Sequence, residues 1–155
     1  MTDAPTIQII MPWPARGLSP NARLHWAQVT KLKKPYRALG MARAVEAMRG
    51  LPTYPKEGRL PVKITFHPPD QRGRDDDNMI GSFKAGRDGV AEAIGVNDRR
   101  WITTYQIAEP VKGGAVVVEL PHPARISASG SEAEPVGGDT LPGWLRRSTV
   151  PPRAK

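Results

Sequence analysis

Apolar and polar positions alternate through Thr6-Ile7-Gln8-Ile9-Ile10-Met11, a run rich in β-branched residues that stops at Pro12-Trp13-Pro14 and predicts a first strand. Gly17, Ser19-Pro20 and Asn21 then punctuate a turn-rich connection. From Arg23 to Met48 the spacing of Trp26, Val29, Leu39, Ala42, Val45 and Met48 suits one apolar helical face, with Pro35 expected to kink that helix or divide it in two. Val62, Ile64 and Phe66 alternate with Lys63 and Thr65, so Leu60 to Phe66 reads as a strand with one buried face. Met79 to Ile94 carries apolar residues at helical spacing. Ile102 to Ile107 and Ala115 to Leu120 read as two more strands, joined by a turn around Gly113-Gly114. The order strand, helix, strand, helix, strand, strand predicts an α+β fold: one mixed β-sheet packed against two main helices in a single domain over residues 1–120.

Residues 121–155 break this periodicity. They hold six prolines, four glycines and scattered small polar residues, with no apolar pattern able to build a core, and are expected to form a disordered tail. Within them Leu141-Pro142-Gly143-Trp144-Leu145-Arg146-Arg147 sets an aromatic beside two cations, a patch read as ordinary tail rather than as a docking segment. There is no cysteine, which excludes disulfide scaffolds, thiolate zinc sites and cysteine nucleophiles. No apolar run approaches the ~18 residues of a membrane span. Met1-Thr2-Asp3-Ala4-Pro5 lacks the basic-then-apolar order of a signal peptide, so a cytoplasmic protein without membrane contact is expected.

Charge narrows the class of partner. The formal net charge is +8, and residues 16–49 hold eight basic residues against Glu46 alone. These include Arg16, Arg23, Lys31, Lys33 and Lys34. A solvated helix face normally mixes signs, so like charges crowded at a local cost point to a phosphate-backbone surface. Against this basic background stands His67-Pro68-Pro69-Asp70-Gln71-Arg72-Gly73-Arg74-Asp75-Asp76-Asp77-Asn78, between a predicted strand and a predicted helix. In an extended segment Asp75 and Asp77 share a side, and paired carboxylates repel unless a cation sits between them. A few carboxylates, with other positions left to water and phosphate, suit Mg²⁺, with Mn²⁺ as a substitute. A purely structural role is Asp77 as helix N-cap, with its neighbours favouring the positive end of the helix dipole. Lys84, seven residues after Asp77, lies two turns along the same helix face, and Asp88, four further on, is again on that face; at the least the two form an ordinary i,i+4 pair. Asn97-Asp98-Arg99-Arg100 adds a carboxylate and two arginines at a helix-to-strand turn. His25, His67 and His122 show no ligand spacing, and His67 reads as a strand-end polar group.

Arg74-Asp75-Asp76-Asp77-Asn78, then Lys84 with Asp88, then Asn97-Asp98, resemble the active-site pattern of RusA-type Holliday junction resolvases. Pro12-Trp13-Pro14 and Leu18-Ser19-Pro20-Asn21-Ala22-Arg23 resemble the N-terminal signature of that family, and the likeness runs from about Ile7 to Leu120. It implies a homodimeric, Mg²⁺-dependent crossover junction endodeoxyribonuclease of a bacterium, prophage or phage. Such an enzyme resolves four-way DNA junctions by paired symmetric nicks in recombination and repair. Carried over, Asp75, Asp77 and Asp98 are the catalytic, metal-binding carboxylates, Lys84 is the essential lysine, and Asn78 and Asp88 are supporting residues. Arg16, Arg23, Lys31, Lys33, Lys34, Arg72, Arg74, Arg99 and Arg100 are candidates for DNA contact. The chain departs from the family pattern at Asp76, where an apolar residue is usual, and in placing Lys84 about one helical turn further from Asp77. Two other readings stay open: a related metal-dependent nuclease acting on flaps or forks, and a non-catalytic module that binds junctions.

Overall fold

Ile7, Ile9 and Met11 are buried while their neighbours face water, so the alternation in the sequence becomes β1 (Thr6–Pro12) of a computed structural model that describes residues 5–128. It joins β2 (Leu60–His67), β3 (Trp101–Ile107) and β4 (Ala115–Pro121) in one mixed sheet of order β1-β4-β2-β3. β4 runs antiparallel to both its neighbours, whereas β2 and β3 are parallel. The register aligns Ile9 with Val118, Val118 with Ile64, and Ile64 with Tyr105, a continuous apolar row across the face that forms the core. The predicted α+β class with one mixed sheet is therefore observed.

The helices depart from the sequence reading in three ways. α1 (Trp26–Ala47) runs unbroken through Pro35. Pro35 is exposed, so the carbonyl it fails to bond faces water, and the backbone defect is cheap there. The inward side of α1 is only partly the one expected: Leu39 and Met48 pack against the core, but the buried residues are Tyr36, Gly40 and Ala44, and Trp26 is 73% exposed and Val45 53%. Small residues carry little apolar signal in a sequence, yet here they form the packed stripe. Last, the span 79–94 is two helices, α2 (Asp76–Ser82) and α3 (Lys84–Ile94), parted at Phe83. Ser82 Oγ donates to the Asn78 carbonyl at 2.7 Å, and the Phe83 ring, 1% exposed, meets Tyr36 and Phe66 edge-on. Burying that ring outweighs helical continuity.

α3 ends at Gly95, whose φ of 71° is left-handed and suits glycine. Its crossing with α1 is set by glycines. A Cβ on Gly89 would lie 2.1 Å from the Arg37 carbonyl oxygen, and one on Gly40 would lie 2.6 Å from that of Gly86. Two tyrosines reach the sheet ends: Tyr36 Oη of α1 donates to the Pro12 carbonyl at 2.7 Å, and Tyr54 Oη, from the connection between α1 and β2, to that of Pro121 at 2.6 Å. Burial pushes both phenols above their ordinary pKa.

The folded region continues past residue 120, where the tail was expected to begin. β4 reaches Pro121, and α4 (Pro123–Ala128) follows, with His122 Nδ1 accepting from the Ala124 amide and Ile126 packed on the core. The 141–147 patch lies outside the described residues. Among the described residues no helix is long and apolar enough to cross a membrane.

Gly89→Ala should cost about 1–3 kcal/mol by forcing α1 and α3 apart, lowering Tm by roughly 5–15 °C in a thermal melt. Gly73→Ala, with no atom within 4 Å of the added methyl, should leave Tm nearly unchanged. Equal melting of the two variants would refute the account of the crossing.

Candidate active site

β2 and β3 are parallel neighbours joined through α2 and α3, and ligands of such units bind beyond the carboxyl ends of the strands. An open cleft of about 540 Å³ lies at that place, where the chain leaving β2 enters α2. One wall comes from the connection after β1, with Trp13, Arg16 and Ser19; the other holds Asp70, Arg72, Arg74, Asp75 and Asn78, with Met79 and Ser82 also lining it. Trp13 is held from several sides: edge-on to Phe66 at 6.2 Å, beneath the Arg74 guanidinium at 5.7 Å, and against Gly114, where a Cβ would lie 2.8 Å from the tryptophan Cβ.

Asp70 organises the acidic segment, although nothing in the sequence reading gave it a role. Its Oδ1 accepts from the Arg72 amide at 3.0 Å, an Asx turn, and pairs with Arg74 Nη1 at 2.8 Å. Arg74 Nη1 also donates to the carbonyls of Asp70 and Arg72, both at 3.2 Å. The Arg74 hydrogen bond, followed by that from the Arg72 amide, holds the Asp70 carboxyl below the usual range. The signal for this was the aspartate two residues before an amide in a turn, with an arginine four residues on. Arg74, read as a DNA contact, thus holds the loop and covers Trp13; Arg72 is exposed, with only a loose 3.9 Å approach to Asp70.

Asp75 is the N-cap residue of α2, exposed, and its side chain makes no cap hydrogen bond. Asp76 and Asp77 lie in the first helical turn, so the extended alternation that would set Asp75 and Asp77 on one side does not hold, and neither does a capping role for Asp77. The break at Phe83 likewise removes the single helix on which Asp77, Lys84 and Asp88 were to share a face. Lys84 Nζ and Asp88 form the ordinary i,i+4 pair at 3.7 Å, largely exposed.

Asp98 lies apart from the cleft, on a 3₁₀ turn of Asp98–Arg100 that Asn97 caps by accepting from the Arg99 amide at 2.9 Å. It borders a separate depression with Asp88, Glu92, Asn97 and Arg37. Its carboxylate stands 3.6 Å from Arg87 Nε, an ion pair rather than a hydrogen bond. The same guanidinium donates to Tyr105 Oη and lies over the Trp101 ring at 5.2 Å. Burial raises the Tyr105 pKa, with the Arg87 charge opposing it. Arg87 escaped the sequence reading because one cation on a mixed helix carries no pattern.

The remaining basic residues divide by their bonding. Arg100 donates from Nε to the Gly58 carbonyl and from Nη2 to that of Pro55, both at 2.8 Å, so it anchors the loop before β2. Arg16, Arg23, Lys31, Lys33, Lys34 and Arg99 are exposed. The histidines act in the backbone: His25 Nδ1 accepts from the Ala27 amide, and His67 Nδ1 lies 3.0 Å from the Glu109 carbonyl at the end of its strand.

Among the described residues no three of Asp, Glu, His or Cys converge on one point as a metal cage would require. The donor set at the cleft instead suits a cation that takes one or two carboxylates and completes its shell with water and phosphate, as Mg²⁺ does. Asp75 is an exposed hard oxygen donor without a cap bond, and Asn78 lines the cleft beside it.

No family model matches the chain. It is 41% identical over 113 residues to an uncharacterized protein of Xylella fastidiosa (strain Temecula1 / ATCC 700964), a match covering 72% of this chain and 74% of that protein. The two belong to one family.

The Asp70 carboxyl should titrate below the unfolded value near 3.9. Because its folded pKa is depressed, its contribution to loop order is present above that value and lost as pH falls through the folded pKa. Carbon-detected NMR should show this low midpoint, and Arg74→Ala should move it up toward the ordinary range. A midpoint indifferent to Arg74 would disprove the proposed organisation of the loop.

Proposed function

We propose that the protein is a Mg²⁺-dependent endodeoxyribonuclease, with Mn²⁺ as a substitute, that resolves four-way DNA junctions by paired symmetric nicks as a homodimer. The observation that carries this reading is the cleft beyond β2, where Asp75, whose carboxylate makes no cap hydrogen bond, and exposed Arg72 line one wall and exposed Arg16 lines the other. Carboxylate and guanidinium on one open cleft fit a phosphodiester: the arginines attract the phosphate, and the acid serves its hydrolysis.

Hydrolysis adds a water oxygen to phosphorus and breaks one P–O bond, leaving a phosphate on one end and a hydroxyl on the other. Asp75 would hold the cation from the cleft wall, with Asp77 joining it through its place in the resolvase-like motif; the cation when bound lowers the pKa of water and neutralises phosphate charge. Asn78 supports the cleft wall next to Asp75. Arg16 and Arg72 position the backbone, and the exposed lysines Lys31, Lys33 and Lys34 extend the cationic surface along α1. Asp77, Lys84 and Asp98 belong to the proposal through their place in the resolvase-like motif; all three lie outside the residues that line the cleft. Two nicks at related positions require two active sites, which a twofold dimer supplies.

A non-catalytic junction-binding module is the second reading, favoured by the engagement of Asp98 with Arg87 and by the lack of three converging ligands among the described residues. Nicking of a synthetic four-way junction separates the two. Wild type with Mg²⁺ should nick symmetrically and EDTA should abolish it, while Asp75→Asn and Asp77→Asn should each lose about 100-fold or more in rate. Junction binding without nicking in Mg²⁺ or Mn²⁺ would leave the module as the answer. Faster cleavage of flaps or forks would reassign the substrate.

A further inference from the structure

The cleft is not the end of the cationic surface. Arg16 and Ser19 line it and also line a second depression, of about 450 Å³, whose far side is Leu24. Leu24 is 40% exposed, and two residues on, Trp26 opens α1 with 73% of its surface in water. An indole left so far in solvent buries little apolar surface in this fold. It is the first residue of α1, its carbonyl accepts from Thr30 Oγ at 2.9 Å, and its ring lies 5.4 Å from that of His25. His25 is fixed in turn by the Ala27 amide.

The charge around this ring selects its partner. From Arg16 through Val45 there is no acidic residue, while Arg23 precedes the ring and Lys33 lies two turns along the same side of α1. A cationic track carrying a solvent-facing aromatic is the arrangement that holds single-stranded nucleic acid, by phosphate attraction plus stacking on an open base face. Paired bases in a duplex present no such face; bases at a strand exchange point or in a single strand do.

We propose that Trp26, backed by His25, is a stacking platform for an unpaired nucleobase of the bound DNA, further along the strand from the phosphate in the cleft. This rests on the reading of the chain as a DNA-cutting enzyme and adds a residue that recognises strand separation rather than charge.

The test uses fluorescence anisotropy with labelled oligo-dT and with a duplex of equal length, in EDTA so that nothing is cut, for wild type, Trp26→Ala and Trp26→Phe. Trp26→Ala should bind oligo-dT about tenfold more weakly and the duplex nearly as wild type does, while Trp26→Phe should keep most of the affinity. Tryptophan emission of wild type should fall on adding unlabelled oligo-dT, and Trp26→Phe should lose most of that quenching. Unchanged oligo-dT affinity in Trp26→Ala, or equal loss on both ligands, overturns the stacking role. A shift from dimer to monomer with DNA binding intact also overturns it, assigning the ring to a contact between copies. Junction nicking run in parallel keeps the two claims separate. Normal nicking with no Trp26 effect sinks the platform alone. Absence of DNA binding by wild type sinks both.

Discussion

Gly89 lies against the carbonyl of Arg37, and Gly40 against that of Gly86, so α1 and α3 meet backbone to backbone instead of through interleaved side chains. That approach fixes how deep both helices sit on the sheet and leaves room beneath them for large residues such as Phe66 and Phe83. Phe83 is central to this arrangement. Its ring fills the space between Tyr36 and Phe66, and the backbone that delivers it interrupts the helix after Ser82. The direction of α2, and hence the position of Asp75 at its start, follows from packing one aromatic ring under a glycine-lined crossing.

The strands were plain in the sequence because alternation is a direct consequence of one buried face, and Ile7, Ile9, Met11, Val62 and Ile64 all obey it. The helix layer was harder to read for the complementary reason. Close packing used Gly40 and Ala44, residues without apolar signal, while the large Trp26 and Val45 stayed outside. The interruption at Phe83 depends on contacts with Tyr36 and Phe66, each distant in the chain, so local spacing could not announce it. Pro35 was over-read, since a lost backbone bond matters less where water replaces it.

The site was legible in part. Asp75 and Asn78 were visible as an acidic entry to a helix and line the cleft, but the wall opposite them, from Trp13 to Ser19, was read as a turn and a signature, with Arg16 as a DNA contact, and not as a wall of the same site. Asp98 was grouped with Asp75 and Asp77 by motif; the turn that bears it faces Arg87 and a different depression. Asp70 and Arg74 were seen as charges and are the framework of the loop, and the same is true of Arg100, which anchors two carbonyls. Sequence identifies which groups carry chemistry more readily than which of them are engaged with their own backbone.

The order of the sheet has a bearing on how this protein is made. Among the described residues β1 pairs with β4 alone, and Tyr36 and Tyr54 fasten opposite ends of that ladder. Pro12 therefore waits for Ala115 before its edge of the sheet exists. Closing so long a loop slows folding, since its entropy is lost before any contact rewards it. Of the four strands β1 is made before its sole partner β4, so its Ile7, Ile9 and Met11 stay without their ladder until Ala115–Pro121 has been added.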